Sequence, residues 1–548
     1  MQGSETDTKA KRYDRQVRVW GEQGQAALES ARVCLLNASA TGCEALKNLV
    51  LGGIKAFTIL DGAAVTERDL GSNFMMHRAH LGRSRAACAT ELLRVLNDAV
   101  KAQYVEDHAD RVIASKPEFF ADFTLVIASN LTRTSALALD AICRPRGVSV
   151  IYARTCGLFG SVRLSFEEHR VLETRPEVPQ ADLRLDAPWP ELQQHALSYD
   201  MEALEDIQHK HVPWACVLLQ AAASWRAAHG GALPANREEQ RAFKDGVKRM
   251  ERVVGGVLLG EENIAEAVSK AQLVWAPRGG RPEDSAARVL EDPCATDLKR
   301  DAAAFWVMVA ALRRFVQTSG GYLPLEGSIP DMTATTENYL ALQRVYRAKA
   351  EQDVAEMAKL VAAVLFELGR DANEIPRDRI AHFCKHCRCM TVTRTPSLAS
   401  ELCVGDAPAP SSSLRERLRS DLSSGPEAAH AASVYVALRA SDKFHAAYGH
   451  YPGALPPTNT ATDEETSSLK QMCAAVLAEM GITGGVAVPD DVVVETVRFG
   501  AGEPHTVAAL VGGIAAQEAI KVLTSQFVPV DGVVVYSGVT NTAAHIPL

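Results

Sequence analysis

Long hydrophobic runs are missing from this 548-residue sequence, since no uninterrupted apolar segment approaches the roughly 18 residues that a membrane-spanning helix needs. The first residues, MQGSETDTKAKR, are polar and lack the apolar core of a signal peptide. An excess of basic charge is also absent, because the formal net charge is -9. We therefore expect no membrane partner and no nucleic-acid partner, since nucleic-acid binders normally present a basic surface.

The sequence has 12 cysteines in 548 residues, which is few for a fold stabilised by disulfides. Most cysteines lie inside apolar strand or helix patterns, as Cys34, Cys88 and Cys143 do. Such positions are typical of reduced thiols in an intracellular protein. The sequence therefore predicts a cytoplasmic and nuclear location.

The patterns of a structural metal site and of common catalytic loops are incomplete or absent. Cys384, Cys387 and Cys389 contain one C-x-x-C pair, to which Cys403 or His382 could add a ligand. A structural zinc site usually has four ligands, and no second C-x-x-C pair occurs. We predict no metal site, although the sequence leaves metal binding by the three clustered cysteines open. The missing G-x-S-x-G and G-x-x-x-x-G-K-[ST] motifs disfavour hydrolases and ordinary ATPases.

Residues 31–61 have the pattern of a strand, a loop, a helix and a second strand. An apolar run over residues 33–36 precedes a short polar loop, and a helical pattern then leads to Gly52-Gly53 and a second apolar run. This order predicts the beginning of a nucleotide-binding, doubly wound sheet.

The loop of this unit lacks two of the glycines that phosphate binding requires. A working loop carries G-x-G-x-x-G, because glycine lets the backbone approach a phosphate and present its N–H groups. Asn37 and Ser39 occupy the two leading glycine positions, and Gly42 keeps the third. The sequence therefore predicts an intact scaffold with a damaged phosphate site.

Strands and helices alternate again beyond this unit and at the C-terminus. We predict strands over residues 124–128, 148–153 and 530–538, and an apolar helix over residues 505–523. Alternation of this kind predicts parallel strand pairing. The predicted fold class is α/β: a Rossmann-like, doubly wound, mostly parallel sheet.

Helical periodicity dominates between the two α/β segments. One example spans residues 301–320, where Asp301 is predicted to cap a helix that Gly320 ends. We therefore predict that the α/β domain comprises residues 1–165 and 491–548. A large, mainly α-helical insertion over residues 166–490 interrupts it.

Four separated pieces of the sequence resemble the adenylation domains of ubiquitin-like-protein activating enzymes, in the order found in that family. They are the strand-loop-helix unit and the motifs YDRQVRVWG (13–21), DLGSNF (69–74) and GGIAAQEAIKVLT (512–524). The middle, with IPDMTATTENYLALQRVYRAKAEQD, resembles the regulatory subunits of neddylation-activating enzymes, of the plant auxin-resistance or animal amyloid-precursor-binding type. The match spans nearly the whole chain.

This resemblance implies a degenerate adenylation domain. Active members supply phosphate-binding glycines, an acid after the second strand, Asn-x-x-Arg-Gln, a lysine and a metal-binding aspartate. The chain keeps only three of these residues, which are Gly42, Asp61 and Asn73. It has Met75-Met76-His77 for Arg-Gln, Arg85 for the lysine, and ASNLTRT (128–134) without an aspartate. We expect no cofactor on this chain, with ATP and magnesium bound by the partner subunit, and structural roles for Asp61 and Asn73.

The resemblance also implies a role in trans for Arg15. In this family an arginine of the matching N-terminal segment reaches from the degenerate half into the partner's active site, where its fork can pair with phosphate. We assign this role to Arg15, with Arg18 as support. The expected partners are the catalytic subunit of the neddylation-activating enzyme, the ubiquitin-like modifier and, indirectly, the conjugating enzyme.

Cys294 lies in the predicted insertion, in a context that superficially resembles a thioester-forming cysteine. The surrounding pattern is missing and the segment is charged and helical, so we predict that Cys294 is not catalytic.

A second hypothesis is a self-sufficient Rossmann enzyme, either an NAD-dependent oxidoreductase or a stand-alone adenylating enzyme. Asp61 favours it, because this acid follows the loop near the spacing of a ribose-binding residue. The missing glycines oppose it, because all such enzymes must bring backbone close to a phosphate.

Overall fold

The structure is a computed structural model, and it describes residues 2–172, 181–277, 279–405, 411–454, 459–482, 485–500 and 502–548. The chain forms two compact units. The first comprises Met1–Val171 and Val392–Leu548, and the second comprises Leu172–Thr391.

The strands, numbered along the chain, are β1 Arg32–Leu36, β2 Ala56–Leu60, β3 Lys101–Val105, β4 Leu125–Ser129, β5 Ser149–Cys156, β6 Phe159–Ser165, β7 His169–Val171, β8 Val253–Val254, β9 Val257–Leu258, β10 Thr391–Thr393, β11 Gly532–Ser537 and β12 Thr542–Pro547.

The helices of the first unit that precede residue 172 are α1 Gln2–Ser30, α2 Ala40–Gly52, α3 Glu67–Ser72, α4 Arg85–Leu96, α5 Ala109–Ser115 and α6 Arg133–Cys143. Those of the second unit are α7 Pro190–Leu197, α8 Asp206–His209, α9 Trp214–Ala228, α10 Arg237–Lys248, α11 Glu262–Lys270, α12 Asp284–Leu290, α13 Pro293–Thr296, α14 Ala304–Thr318, α15 Thr336–Glu367 and α16 Arg377–His386. The remaining helices of the first unit are α17 Leu398–Glu401, α18 Ser412–Ser423, α19 Pro426–Tyr448, α20 Asn459–Glu479, α21 Asp490–Arg498 and α22 His505–Thr524.

The first unit is built on an eight-stranded sheet of order β12-β11-β6-β5-β4-β1-β2-β3. Strands β5, β4, β1, β2 and β3 are parallel, and β6, β11 and β12 join by antiparallel pairing on the β5 side. The central strand β4 is buried along its whole length, as expected of a parallel strand with both faces covered. The predicted doubly wound, mostly parallel sheet is therefore confirmed.

The sequence prediction omitted the edge strand β3. Its residues, KAQYV, are exposed or only partly buried, because β3 has a neighbour on one side alone. An edge strand of this kind lacks the continuous apolar run that marks the central strands.

Helix α22 is a core element of the first unit. It packs against α2, β5 and β6, and Val511, Ala515 and Ala519 lie in the main hydrophobic core. Of the helices in the described ranges, α22 is the one with the length and hydropathy that a membrane span would need, and half of that apolar window is buried inside the protein.

The helices that follow Val392 pack with the sheet-containing unit. Helix α19 contacts β11 as well as α18, α20 and α21, and it shares an apolar cluster with Phe159 and Val535 of the sheet. The division at Thr391 and Val392 therefore lies well before residue 490, the predicted end of the helical insertion. Helical periodicity in a sequence indicates that one face of a helix is buried. It does not indicate which hydrophobic core that face packs against.

Helix α14 begins later than the sequence predicts. Its N-cap is Ala303, whose side chain makes no capping hydrogen bond, so the prediction that Asp301 caps this helix is wrong. The apolar run of α14 is buried against α15, and this packing fixes the helix without a polar cap.

We predict that His169 makes the protein sensitive to acid. His169 is buried beside Phe166, its Nε2 atom has no hydrogen-bond partner among the described residues, and burial lowers the pKa of its imidazole to about 4. The unfolded imidazole titrates near pH 6.5, so the unfolded state binds the extra proton between about pH 6.5 and 4. Stability should therefore fall by up to about 3 kcal/mol as the pH falls through this window.

The measurement is the unfolding temperature at pH 7 and pH 4.5. His169→Phe should show a smaller decrease between the two pH values than the wild type, and His108→Gln, at an exposed position, should behave as the wild type. An equal decrease in His169→Phe would contradict the assignment.

Candidate functional site

The loop between β1 and α2 keeps the geometry of a nucleotide-binding loop with different residues. Asn37 has a left-handed backbone with φ 63°, and its Nδ2 donates to the carbonyl of Ser129 at 2.9 Å. Asparagine tolerates this region better than most non-glycine residues. Ser39 is the N-cap of α2, with its Oγ accepting from the Gly42 N–H at 3.2 Å. The loop is therefore ordered by side chains where an active site uses glycine.

Gly42 is retained because helix α2 lies very close to the sheet. A Cβ at this position would lie 2.8 Å from Leu35 Cδ1 and 3.0 Å from Ser129 Cβ. Close helix–strand packing is the usual role of the third glycine of the motif. The scaffold function of the motif has thus been kept.

A carboxylate from the distant C-terminal part of the chain lies at the N-terminus of α2. Glu503 accepts from the Ala40 N–H at 3.0 Å, from the Thr41 N–H at 3.4 Å, from Thr41 Oγ1 at 2.6 Å and from Ser39 Oγ at 3.1 Å. Backbone N–H groups at a helix N-terminus bind anions, and in nucleotide enzymes they hold a phosphate. In this chain the same donors hold the Glu503 side chain.

The acid at the end of the second strand is also engaged internally. Asp61 accepts from the Ala38 N–H at 2.8 Å and pairs with Arg85 Nε at 2.6 Å, and Arg85 also pairs with Asp69 at 3.1 Å. Burial works against the charge on Arg85, but the two carboxylates raise the pKa of its guanidinium above the ordinary value. Asp61 is almost fully buried in this network, which holds the loop to α3 and α4.

Other positions that carry ATP-binding or magnesium-binding residues in active family members hold buried side chains in this chain. Asn73 donates to the Ala38 carbonyl at 3.1 Å and accepts from the Met75 N–H at 3.1 Å. In Met75-Met76-His77, the stretch where Arg-Gln falls in active members, Met75 and Met76 are buried in the main hydrophobic core and His77 is exposed. Ser129 ends β4 with its Oγ 2.5 Å from Ser39 Oγ.

The structure therefore brings the predicted degenerate positions together around one loop: Asn37, Ser39, Gly42, Asp61 and Asn73. Sequence reasoning missed Glu503, which no local signal connects with a loop more than 450 residues earlier. The acid precedes Pro504, the N-cap of α22, so its own surroundings indicate only the start of a helix.

Arg15 lies on a different part of the surface. Helix α1 is anchored by Tyr13, whose hydroxyl accepts from Asn97 Nδ2 at 2.9 Å and whose ring packs so closely on Gly53 that a Cβ there would lie 2.6 Å away. Two residues further on, Arg15 is exposed and forms no ion pair with any side chain that the structure describes. Arg18 is exposed and pairs with Asp14 at 2.9 Å.

The anchor of α1 is at the C-terminal end of α2, whereas the Glu503 site is at its N-terminus. A helix of 13 residues is about 20 Å long. The two arginines are therefore not gathered around the chain's own loop.

The cysteine cluster of the second unit has the environment of buried, protonated thiols. Cys384 and Cys387 are buried, and burial raises the pKa of the Cys384 thiol to about 12. Metal ligation and nucleophilic attack both require the thiolate. Across the described ranges, no group of three or more His, Cys, Asp or Glu side chains is placed to hold a metal ion. Cys294 is exposed in the short helix α13, which Asp292 caps.

The parallel sheet and its strand-loop-helix unit define the class of the protein as an adenylation-type α/β fold. The ThiF family matches residues 13–547. The NEDD8-activating enzyme E1 regulatory subunit AXR1 of Arabidopsis thaliana is 42% identical over 539 residues, covering 98% of this chain and 96% of the relative. The NEDD8-activating enzyme E1 regulatory subunit of Danio rerio is 38% identical and covers 99% of each chain.

Among solved structures, the E. coli tRNA N6-threonylcarbamoyladenosine dehydratase TcdA is 21% identical, with a TM-score of 0.26 over 28% of this chain and 63% of that chain. The full-length similarity to the two relatives is decisive. The chain belongs to the ThiF family and, within it, to the family of NEDD8-activating enzyme E1 regulatory subunits. The resemblance found in the sequence motifs is thereby confirmed.

Proposed function

We propose that this chain is the non-catalytic half of a heterodimeric activating enzyme for NEDD8. It pairs with a catalytic subunit and supplies Arg15 to the ATP site of that subunit. It also helps to bind the modifier before thioester formation and transfer to a conjugating enzyme. Family membership supports the role in NEDD8 activation. The residues of the site support the division of labour between the two subunits.

The observation that carries this proposal is the position of Glu503. Its carboxylate accepts two backbone N–H groups at the N-terminus of α2, so a phosphate at the same donors would meet a negative charge instead of open N–H groups. Arg85 pairs with Asp61, the acid that would otherwise contact a ribose. These residues therefore do not fit ATP at this loop.

The residues at this site do not fit a magnesium ion either. In the family the ion is held by an aspartate after the strand equivalent to β4, and this chain has Ser129 and Asn130 there. A hard divalent cation prefers carboxylate oxygens, which neither residue supplies. We therefore place both ATP and magnesium on the partner subunit.

The reaction assigned to the heterodimer needs positive charge at the phosphates. The C-terminal carboxylate of the modifier attacks the α-phosphate of ATP and releases pyrophosphate, and a partner cysteine then takes the acyl group and releases AMP. A guanidinium at the phosphates stabilises charge that develops during the attack. Arg15 suits this role because it is exposed on a helix that Tyr13 fixes to the sheet unit.

Reconstitution tests the proposal. The catalytic subunit with NEDD8, ATP and magnesium should form the NEDD8 thioester at least about 100-fold faster with this chain than without it, because the arginine contribution alone is of that order. Calorimetric titration of ATP and of NAD into the isolated chain should show no binding. We also propose that the protein acts in both cytoplasm and nucleus, which fractionation of cells would test.

The self-sufficient Rossmann enzyme makes the opposite prediction. Tight binding of ATP or NAD by the isolated chain, or thioester formation that does not depend on the chain, would contradict the proposal. The Glu503 and Arg85 contacts argue against this alternative, because they occupy the groups that would recognise the phosphate and the ribose.

A further inference from the structure

A second charged cluster lies in the first unit, on the other side of β4 from the loop. Ala128 and Asn130 line a cavity of about 120 Å³, whereas Ser129 between them faces Ser39. This alternation is the normal one for successive residues of a strand. Four arginines and two acids line the cavity: Arg133, Arg154, Arg163, Arg439, Glu401 and Asp442.

Two of the four arginines have carboxylate partners. Arg163 Nε donates to Glu401 at 2.8 Å, its Nη1 lies 3.9 Å from Asp140, and Arg154 pairs with Asp442. Glu401 is shared further, since its other oxygen accepts from the Tyr435 hydroxyl at 2.8 Å. Both acids of the cavity are thus already engaged.

The other two arginines feel the charges of Asp442 and Glu401, but among the described residues neither donates a hydrogen bond to a carboxylate. Arg133 donates to the Leu402 carbonyl at 3.2 Å, and Arg439 Nη1 lies 2.9 Å from the sulfur of Met480. The guanidinium of Arg439 also faces the Tyr435 ring at 5.6 Å. Among the lining side chains the four arginines exceed the two acids by two positive charges, and Asp140, outside the lining, offsets one of these charges.

Several guanidinium nitrogens at the cavity lack hydrogen-bond partners among the described residues. They are Nη2 of Arg154, Nη1 of Arg163, and both Nε and Nη2 of Arg439. Arg163 and Arg439 are only 4% and 6% exposed, so bulk water does not solvate them freely. A buried charge of this kind is destabilising unless a counter-charge and acceptors are supplied.

We propose that this cavity binds a small tetrahedral dianion, either inorganic phosphate or the phosphate group of a small phosphorylated molecule. A phosphate supplies negative charge at neutral pH and several acceptor oxygens, which the excess positive charge and the unpartnered donors require. The cavity volume of about 120 Å³ suits a single oxyanion. The site is therefore distinct in both residues and ligand from the β1–α2 loop.

A bound dianion would join parts of the fold that are far apart in the sequence. Arg154 and Arg163 belong to β5 and β6, Glu401 ends α17, and Arg439 is in the middle of α19. The ligand would thus tie the late helices to the sheet, and its binding should stabilise the first unit.

The test uses the full chain purified without phosphate or sulfate. Titration with inorganic phosphate should show one saturable site and raise the unfolding temperature. Arg439→Met removes an unpaired buried charge while keeping an apolar side chain of similar length, a change that often leaves folding intact. We expect it to weaken phosphate binding at least tenfold. Arg133→Met, at a less buried position, should weaken binding in the same direction and serves if the first variant does not fold.

The matched control is Arg83→Met, which removes an exposed arginine paired with Glu91 and should bind phosphate as the wild type does. A parallel titration with glycerol phosphate separates the two ligand sources, because a phosphomonoester that binds tighter than inorganic phosphate assigns the site to a phosphorylated molecule. No binding of either compound by the wild type, or equal binding by the wild type and a folded Arg439→Met or Arg133→Met variant, would overturn the proposal.

Discussion

Replacing Arg15 by alanine is expected to lower ATP–pyrophosphate exchange by the assembled heterodimer about 100-fold, because a guanidinium that stabilises developing phosphate charge contributes on this order. Assembly and the unfolding temperature of the chain should not change, since Arg15 is exposed and Tyr13 and Arg12 make the contacts that hold α1. Exchange rates and gel filtration with the catalytic subunit measure the two properties separately.

Two further variants on α1 test which property of Arg15 matters and whether Arg18 shares its role. Arg15→Lys keeps the charge but not the planar fork, so it should recover only part of the activity. Arg18→Ala breaks an exposed ion pair with Asp14 and should have a smaller effect than Arg15→Ala. An exchange rate for Arg15→Ala equal to that of the wild type would remove the proposed role, and loss of co-elution would show that Arg15 serves assembly instead.

Replacing Glu503 by alanine is expected to destabilise the first unit by about 3 kcal/mol. The variant removes an anion from the N-terminus of α2 and leaves the donors of Ala40, Thr41 and Ser39 without their acceptor. Thermal unfolding measures the loss. Glu106→Gln, at an exposed acid, is the matched control and should unfold as the wild type does.

The Glu503→Ala variant should also expose an anion site at α2. Sulfate should then restore part of its stability. The comparison is best made in the Arg439→Met background, where the proposed anion site at the second cavity is weakened. If Glu503→Ala is as stable as the wild type and does not respond to sulfate, the Glu503 carboxylate does not occupy an anion site at the N-terminus of α2.

Opening the loop should still not create an ATPase. Glycine at positions 37 and 39 together with Glu503→Ala would restore space for a phosphate, but Ser129 and Asn130 would still offer no carboxylate to magnesium. Measurable ATP turnover by this triple variant would show that the loop and its carboxylate were the only defects.

The sequence by itself determined the scaffold and its degeneracy. The order of strand, loop and helix predicted the doubly wound sheet, because apolar periodicity and glycine positions are local properties of the chain. The substitutions at Asn37, Ser39 and the Arg-Gln positions are visible without coordinates. The edge strand β3 was missed because half-exposed strands lack the apolar signal of buried ones.

The tertiary structure alone decided what fills the damaged site and which helices belong to the sheet unit. Glu503 and the cavity at Arg439 both depend on segments separated by hundreds of residues, and no local pattern specifies which distant side chain meets a given donor. Helices α18 to α21 likewise show one buried face in the sequence, but only packing reveals that this face lies in the first unit. Partners fixed by long-range packing are therefore the part of the site that sequence periodicity does not encode.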